Sequence, residues 1–224
     1  LLYIMKRSEV NRYIKQAIKL FDENNFHLPS WALLTPEEWK DKIATERCKE
    51  IIDHTLGWDV TDFGKNNFMK GGLTLFTLRN GSPKSEKTYC EKIMVSYVNQ
   101  ITPMHFHWNK MEDIINRGGG ILALQLWKAN KKEEKTSDSF TVQIDGITQN
   151  IEAGEIIQLN PGESITLEPY IYHQFWAEKG TCIIGEVSKV NDDSNDNRFY
   201  EPLGRYPEIE EDESPLFLLC TEYL

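Results

Sequence analysis

The chain has 224 residues, 40% hydrophobic and 27% charged, which is the balance of an ordinary globular domain with room for a large buried core. Its formal net charge of −10 and the lack of a basic stripe speak against nucleic-acid binding and against a highly phosphorylated substrate. The four cysteines, Cys48, Cys90, Cys182 and Cys220, form no C-x-x-C pair, so no zinc ribbon or dithiol motif is written here, and a reduced, cytoplasmic setting is expected.

The opening Leu1-Leu2-Tyr3-Ile4 is too short for a signal core or a membrane span, and no membrane partner is expected. Residues 6–56 read as helical. Val10, Tyr13, Ile14, Ala17, Ile18 and Phe21 recur at helical spacing as one apolar stripe. Thr35-Pro36-Glu37-Glu38 is a helix start, with a Thr cap, Pro at the first helical position and acids in the first turn. Trp39, Ile43 and Cys48 would line that second helix. His27 and His54 read as surface or packing residues.

From about residue 70 to 190 the pattern changes to strands. Runs at 73–78, 91–97, 121–127, 140–144, 147–151, 155–159, 164–168, 172–176 and 182–190 are apolar or alternating, with turn residues between them. Gly118-Gly119-Gly120 reads as a turn, and Asp145-Gly146 as a tight hairpin. Many short strands with frequent turns predict a mainly β sandwich or barrel. Lys128 to Asp138 reads as a solvated charged loop, the acidic run 208–213 as a solvated face, and Leu216 to Leu219 as a last strand. The expected organisation is a helical extension at 1–64, a β-barrel at 65–190, and a C-terminal segment at 191–224 packing on the barrel.

The densest chemistry lies in Met104-His105-Phe106-His107-Trp108-Asn109-Lys110-Met111-Glu112. Two histidines two apart on a strand point to the same face, and the carboxylate of Glu112 can return on the next strand. Two imidazoles and a carboxylate suit Mn, Fe, Co, Ni or Zn. His173, after the Pro161-Gly162 turn, offers a third imidazole; four ligands leave open positions in an octahedral shell, as a catalytic metal needs.

These residues look like the two-part metal signature of the cupin superfamily. Longer stretches resemble the D-lyxose isomerase family: Gly57 to Gly64, Gly72 to Gly81, Thr102 to His107, Glu112 to Gly120, Gly185 to Ser188, and Val190-Asn191-Asp192-Asp193. The resemblance covers roughly residues 5–224. It implies a cupin barrel (a double-stranded β-helix) with an N-terminal helical extension. It further implies a Mn-dependent aldose–ketose isomerase, usually a homodimer, for the pair D-lyxose and D-xylulose, with D-mannose and D-fructose as slower partners. Carried onto this chain, the metal ligands are His105, His107, Glu112 and His173.

Other residues are candidates on chemistry. Lys110, between two ligands, can stabilise an enediolate oxygen or shuttle a proton, or it can face solvent. Glu186 sits in the apolar strand 182–187, where a charge needs a partner or a polar cavity; desolvation is expected to raise its pKa, as suits a general base. Lys92, Asp193 and Arg205 are candidates for the sugar hydroxyls. The rival functions are an Fe(II) cupin dioxygenase, a non-catalytic sugar- or metal-binding module, and a phosphosugar isomerase. The polar set Lys92, Lys110 and Glu186 favours a free polyol substrate.

Overall fold

Helical periodicity organises the first fifty residues, and a period of two organises most of the remaining chain. In the computed structural model, which describes residues 4–43, 47–204 and 206–223, helix α1 spans Arg7–Glu23. Val10, Tyr13, Ile14, Ala17 and Phe21 are buried because their spacing puts them on one face. That stripe packs on Trp58, Val60, Phe76, Ile93 and Val95. Each large apolar side chain so buried contributes roughly 1.5–3 kcal/mol. An exposed ion pair such as Lys19–Glu23 adds only about 0.3–0.5 kcal/mol, so packing fixes the helix.

A 3₁₀ turn at Ser30–Leu33 comes next, then α2 at Pro36–Ile43. The expected cap is present: Thr35 N–H donates to Glu38 Oε2 (2.8 Å), and Glu38 N–H donates to Thr35 Oγ1 (3.3 Å). The second helix is shorter than expected. Cys48 lies outside it, immediately before α3 at Lys49–Asp53, yet Trp39 and Cys48 still share a cluster with Tyr223. A last short helix, α4, spans Phe68–Gly71.

The strands are β1 (Met5–Lys6), β2 (Gly57–Thr61), β3 (Leu73–Asn80), β4 (Tyr89–Ser96), β5 (His105–Phe106), β6 (Glu112–Lys128), β7 (Phe140–Ile144), β8 (Ile147–Ile151), β9 (Ile156–Leu159), β10 (Ser164–Leu167), β11 (Ile171–Lys189), β12 (Arg198–Phe199) and β13 (Ile209–Glu210). One sheet runs β2-β3-β4-β11-β6-β10-β7-β8, with β9 on β6 and β5 joining β11 to β12. Its pairings are antiparallel. The mainly β architecture is the one expected. Strand β2, however, falls inside the segment 1–64 assigned to the helical extension. All five of its residues are buried, so the strand is covered on both faces and shows no alternation in its sequence.

Two long strands replace several short ones. Gly118-Gly119-Gly120 is no chain reversal: it lies within the 17-residue β6. Opposite it, the 19-residue β11 joins the two runs expected at 172–176 and 182–190, with its register shifted between Glu178 and Cys182. Gly119 has φ +91°, and a Cβ there would stand 2.0 Å from the Thr181 carbonyl oxygen. The glycines let two backbones approach closely at a bend, a use that reads in sequence like a turn. Asp145 and Gly146 do turn the chain, with φ of 50° and 76°, between the paired β7 and β8.

Strands β3, β4 and β11 show how the interior is made. Leu75, Met94, Cys182 and Ile184 point into the barrel core, while Phe76, Ile93, Val95 and Ile183 point outward under α1. By the same alternation Lys92 and Glu186 fall on the inner face.

The tail differs from expectation in three places. The acidic run 208–213 is not simply a solvated face. Its Ile209 and Glu210 pair in parallel with Met5 and Lys6. Glu211 binds Arg7, Asp212 Oδ1 accepts Ser8 N–H (2.9 Å), and Glu213 accepts Asn11 Nδ2–H (2.7 Å). The first N–H groups of a helix lack internal acceptors and carry positive dipole, so carboxylates settle there. Leu216 to Leu219 forms no strand beyond a single bridge from Leu219 to Trp58; Phe217 and Leu218 are taken up by side-chain packing. The loop 128–138 is likewise more than a solvated excursion. Glu133 accepts Trp108 Nε1–H (2.8 Å) and Arg198 Nε–H (2.7 Å), and Lys135 Nζ sits 3.8 Å from the Trp127 ring centre.

Candidate metal centre and its acid–base groups

Strand β5 carries His105, His107 lies just past its end, and His173 is the direct partner of His105 on β11. One potential ligand nitrogen from each ring lies within 4.8 Å of the others, and His107 and His173 are buried. Each ring is oriented by the same device. His105 Nδ1 contacts the Pro103 carbonyl (2.8 Å), His107 Nδ1 the Asp196 carbonyl (2.5 Å) and His173 Nδ1 the Ile171 carbonyl (3.0 Å). A carbonyl only accepts, so each Nδ1 carries the proton, and Nε2 is the atom of each ring left to face a cation. Burial pushes the pKa of His105 well down, assisted by His173 and His107. It also lowers that of His107, assisted by the Lys110 ammonium. Both rings are therefore neutral at pH 7.

Glu112, the first residue of β6, closes the group. Its Oε1 lies 3.1 Å from His173 Nε2 and 3.5 Å from His107 Nε2. Burial would raise its pKa; the Lys110 ammonium, with Nζ 2.7 Å from Oε2, acts together with His107 and His173 to outweigh burial and hold it well below the carboxylate range. His107 Nε2 is buried with no hydrogen-bond partner. The unpartnered His107 nitrogen beside an ionised carboxylate oxygen is an arrangement that a cation among them relieves. The described residues thus fit a divalent ion, and the triad can hold one.

Beside this group is a buried charge cluster. Lys110 Nζ donates to Glu186 Oε1 (2.9 Å), and Lys92 Nζ lies 3.3 Å from the same oxygen. Burial would lower the pKa of Lys110, but Glu112 and Glu186 together raise it, so the ammonium is firmly protonated. The expectation that Glu186 has a raised pKa is overturned. Burial acts in that direction, but Lys110 and Lys92 outweigh it and lower the pKa, so the carboxylate is ionised. The ammonium groups of Lys92 and Lys110 balance the carboxylates of Glu112 and Glu186, and that neutrality lets all of these groups stay buried.

Asp193 lines the same cavity as Lys92, Lys110 and Glu186, and accepts Asn197 Nδ2–H (3.1 Å). Arg205 lies outside the described residues. His27 is exposed, and the half-buried His54 bonds the Asn80 carbonyl (2.8 Å), so both are packing or surface residues as expected. The sequence reading missed Asn191 and Asp196. Asn191 Oδ1 accepts from Lys92 (2.7 Å) and Lys110 (3.3 Å). The dense Asn/Asp run 191–197 reads in sequence as turns, and the family resemblance at 190–193 assigned Asn191 no role. The remaining cavity wall is mostly apolar, with Phe63, Leu73, Leu75, Met94 and Phe175 beside Thr102 and Asn197.

The sequence model of the D-lyxose isomerase family matches residues 5–223. The chain is 50% identical to a D-lyxose/D-mannose isomerase of Escherichia coli O157:H7 over 98% of each chain. It is 31% identical to one of Thermosediminibacter oceani, over 93% of this chain and 100% of that one. Among solved structures it resembles L-ribose isomerase of Geodermatophilus obscurus, with a TM-score of 0.59 at 13% identity over 93% of this chain and 99% of the other. It also resembles that of Acinetobacter sp. DL28 in complex with L-ribose, with a TM-score of 0.58 at 12% identity over 89% and 94%. These structural likenesses are ones of fold, and the fold is the cupin barrel that the motif implied.

Proposed function

Because this chain belongs to the D-lyxose isomerase family and is an aldose–ketose isomerase, we propose that it interconverts D-lyxose and D-xylulose, and more slowly D-mannose and D-fructose. The ligand set is His105, His107, Glu112 and His173, and manganese is the ion assigned to it. The observation that carries this reading is the Lys110–Glu186 pair, 2.9 Å apart, set directly against the converging imidazoles.

A divalent cation held there supplies Lewis-acid polarisation of the sugar carbonyl. The chain's own groups do the rest. Glu186 is ionised and accepts the proton from the carbon beside the carbonyl, returning it to the neighbouring carbon. Lys110, protonated and fixed by two carboxylates, donates a hydrogen bond to the oxygen on which negative charge develops. Lys92 shares Glu186 and keeps it ionised while offering N–H to a sugar hydroxyl, and Asp193 accepts from another. Arg205 is assigned to close over the sugar from the tail. The apolar walls exclude water from the reacting carbons. The enzyme works in this reading as a cytoplasmic homodimer on the free sugar. The polar side chains Lys92, Lys110 and Glu186 in the cavity lining favour a polyol over the Fe(II) dioxygenase alternative.

The test is to strip the protein of metal, resupply Mn2+ and follow D-lyxose, D-mannose and their 6-phosphates by NMR in D2O. Metal-dependent formation of ketose from D-lyxose, with solvent deuterium entering the product, is expected. No turnover of either free sugar overturns the substrate assignment. Turnover by Glu186→Gln at the wild-type rate overturns the proton-transfer role of Glu186.

A further inference from the structure

We propose that Asp196 is the positioning residue that holds the ligand-bearing loop 107–110 in register with the rest of the metal centre; this rests on the metal reading above. One residue of the tail satisfies four consecutive positions of that loop. Asp196 Oδ1 accepts the backbone N–H of Trp108 (2.9 Å) and of Asn109 (3.0 Å), and the side-chain amide of Asn109 (3.3 Å). Its Oδ2 accepts the N–H of Lys110 (2.9 Å), and its own carbonyl accepts His107 Nδ1–H (2.5 Å). Asp196 is 7% exposed.

The loop has no ladder of its own: β5 ends at Phe106 and β6 begins at Glu112. The buried N–H of Lys110 and the part-buried ones of Trp108 and Asn109 need acceptors, and a carboxylate offers several at once without adding a donor. The effect reaches two groups of the centre together. The carbonyl fixes the tilt of the His107 ring, and so the direction of Nε2. The carboxylate fixes the backbone of Lys110, and so the reach of its ammonium to Glu112 and Glu186. Asp196 is itself anchored by its N–H to the Asp192 carbonyl (2.9 Å).

The test uses the full-length protein freed of metal, with Mn2+ binding measured by electron paramagnetic resonance of the free ion. Asp196→Asn preserves size but turns an amide N–H against a loop N–H. We expect Mn2+ affinity to weaken by about 10- to 100-fold, the usual cost of losing an outer partner of a metal ligand, with near-UV circular dichroism unchanged. Activity should return partly at high Mn2+, which a collapsed loop would not allow. Asp192→Asn, whose side chain caps Asn195 (3.1 Å) among the described residues, serves as control and should bind Mn2+ within about twofold of wild type, far below the outer-partner cost. Asp196→Ser, which keeps the main-chain contact to His107 and one acceptor, replaces the Asn variant if that one fails to fold. A folded Asp196 variant with wild-type affinity overturns the proposal, as does an equal loss in Asp192→Asn. Wild-type protein that binds Mn2+ no better than His107→Ala overturns the metal reading itself, a separate result.

Discussion

Glu186 and Lys92 are direct cross-strand partners, on β11 and β4, and their charged ends meet 3.3 Å apart at 6% and 5% side-chain exposure. They lie 94 positions apart in sequence by their residue numbers, and only the antiparallel register brings them to one side of the sheet. The inner face of β4 and β11 is apolar next to them, at Met94 and Ile184. A lone charge there would be costly, and the pair is retained where an ionised carboxylate has chemical use.

Glu186→Gln keeps the side chain's shape and removes the base. Its kcat should fall by about 10²–10⁴-fold, the range for a general base, with Mn2+ affinity within a few-fold of wild type. Lys110→Ala should fall at least as far, because it also leaves Glu112 and Glu186 short of a counter-charge. Steady-state kinetics on D-lyxose alongside Mn2+ titration checks both; loss of metal binding in Glu186→Gln would mean that the residue belongs to the ligand set.

Metal removal should lower thermal stability as well as activity. Four groups able to share a cation lie together at His105, His107, Glu112 and His173. Adding an ion at about 100 times its Kd stabilises the folded state by about 2.7 kcal/mol. Scanning calorimetry should show Tm rising with Mn2+ for wild type and staying flat for a His105→Ala, His173→Ala double variant.

Phe21 is 1% exposed between α1 and the sheet, with Trp58 stacked beside it. Phe21→Ala should destabilise the fold by about 3–5 kcal/mol in urea denaturation. The metal centre lies on the opposite face of the sheet, so kcat per folded molecule should be preserved. A large fall in kcat with unchanged stability would contradict that separation.

The clasp between the tail and α1 should be acid-sensitive. The Arg7 guanidinium beside Glu211 lowers its pKa, and the Ser8 N–H and hydroxyl lower that of Asp212. A carboxylate whose folded pKa lies below its unfolded one, about 4, adds stability above that value and loses it as pH falls through the folded pKa. Hydrogen-exchange protection at the start of α1, taken relative to the intrinsic rate at each pH, should therefore be high at neutral pH and fall below about pH 4. The mid-sheet amides should stay protected over the same range. Asp212→Asn should speed exchange at neutral pH too.

Much of this molecule is written in local sequence. The α1 stripe, the Thr35–Glu38 cap, the Asp145-Gly146 hairpin, and the strands β3, β4 and β7 to β10 come from period and turn chemistry, which act over a few residues. The spacing of His105, His107 and Glu112 announced a metal centre for the same reason. Tertiary structure alone decided the rest. Gly118 to Gly120 could serve a turn or a bend, and the close approach of β11 chose the bend. Glu186 could titrate up or down, and the placing of Lys110 and Lys92 sent it down. Asn191 and Asp196 carried no more signal than any Asx-rich turn, because what makes them matter is a set of hydrogen bonds to residues some ninety positions away, and long-range register is not encoded in any window of the chain.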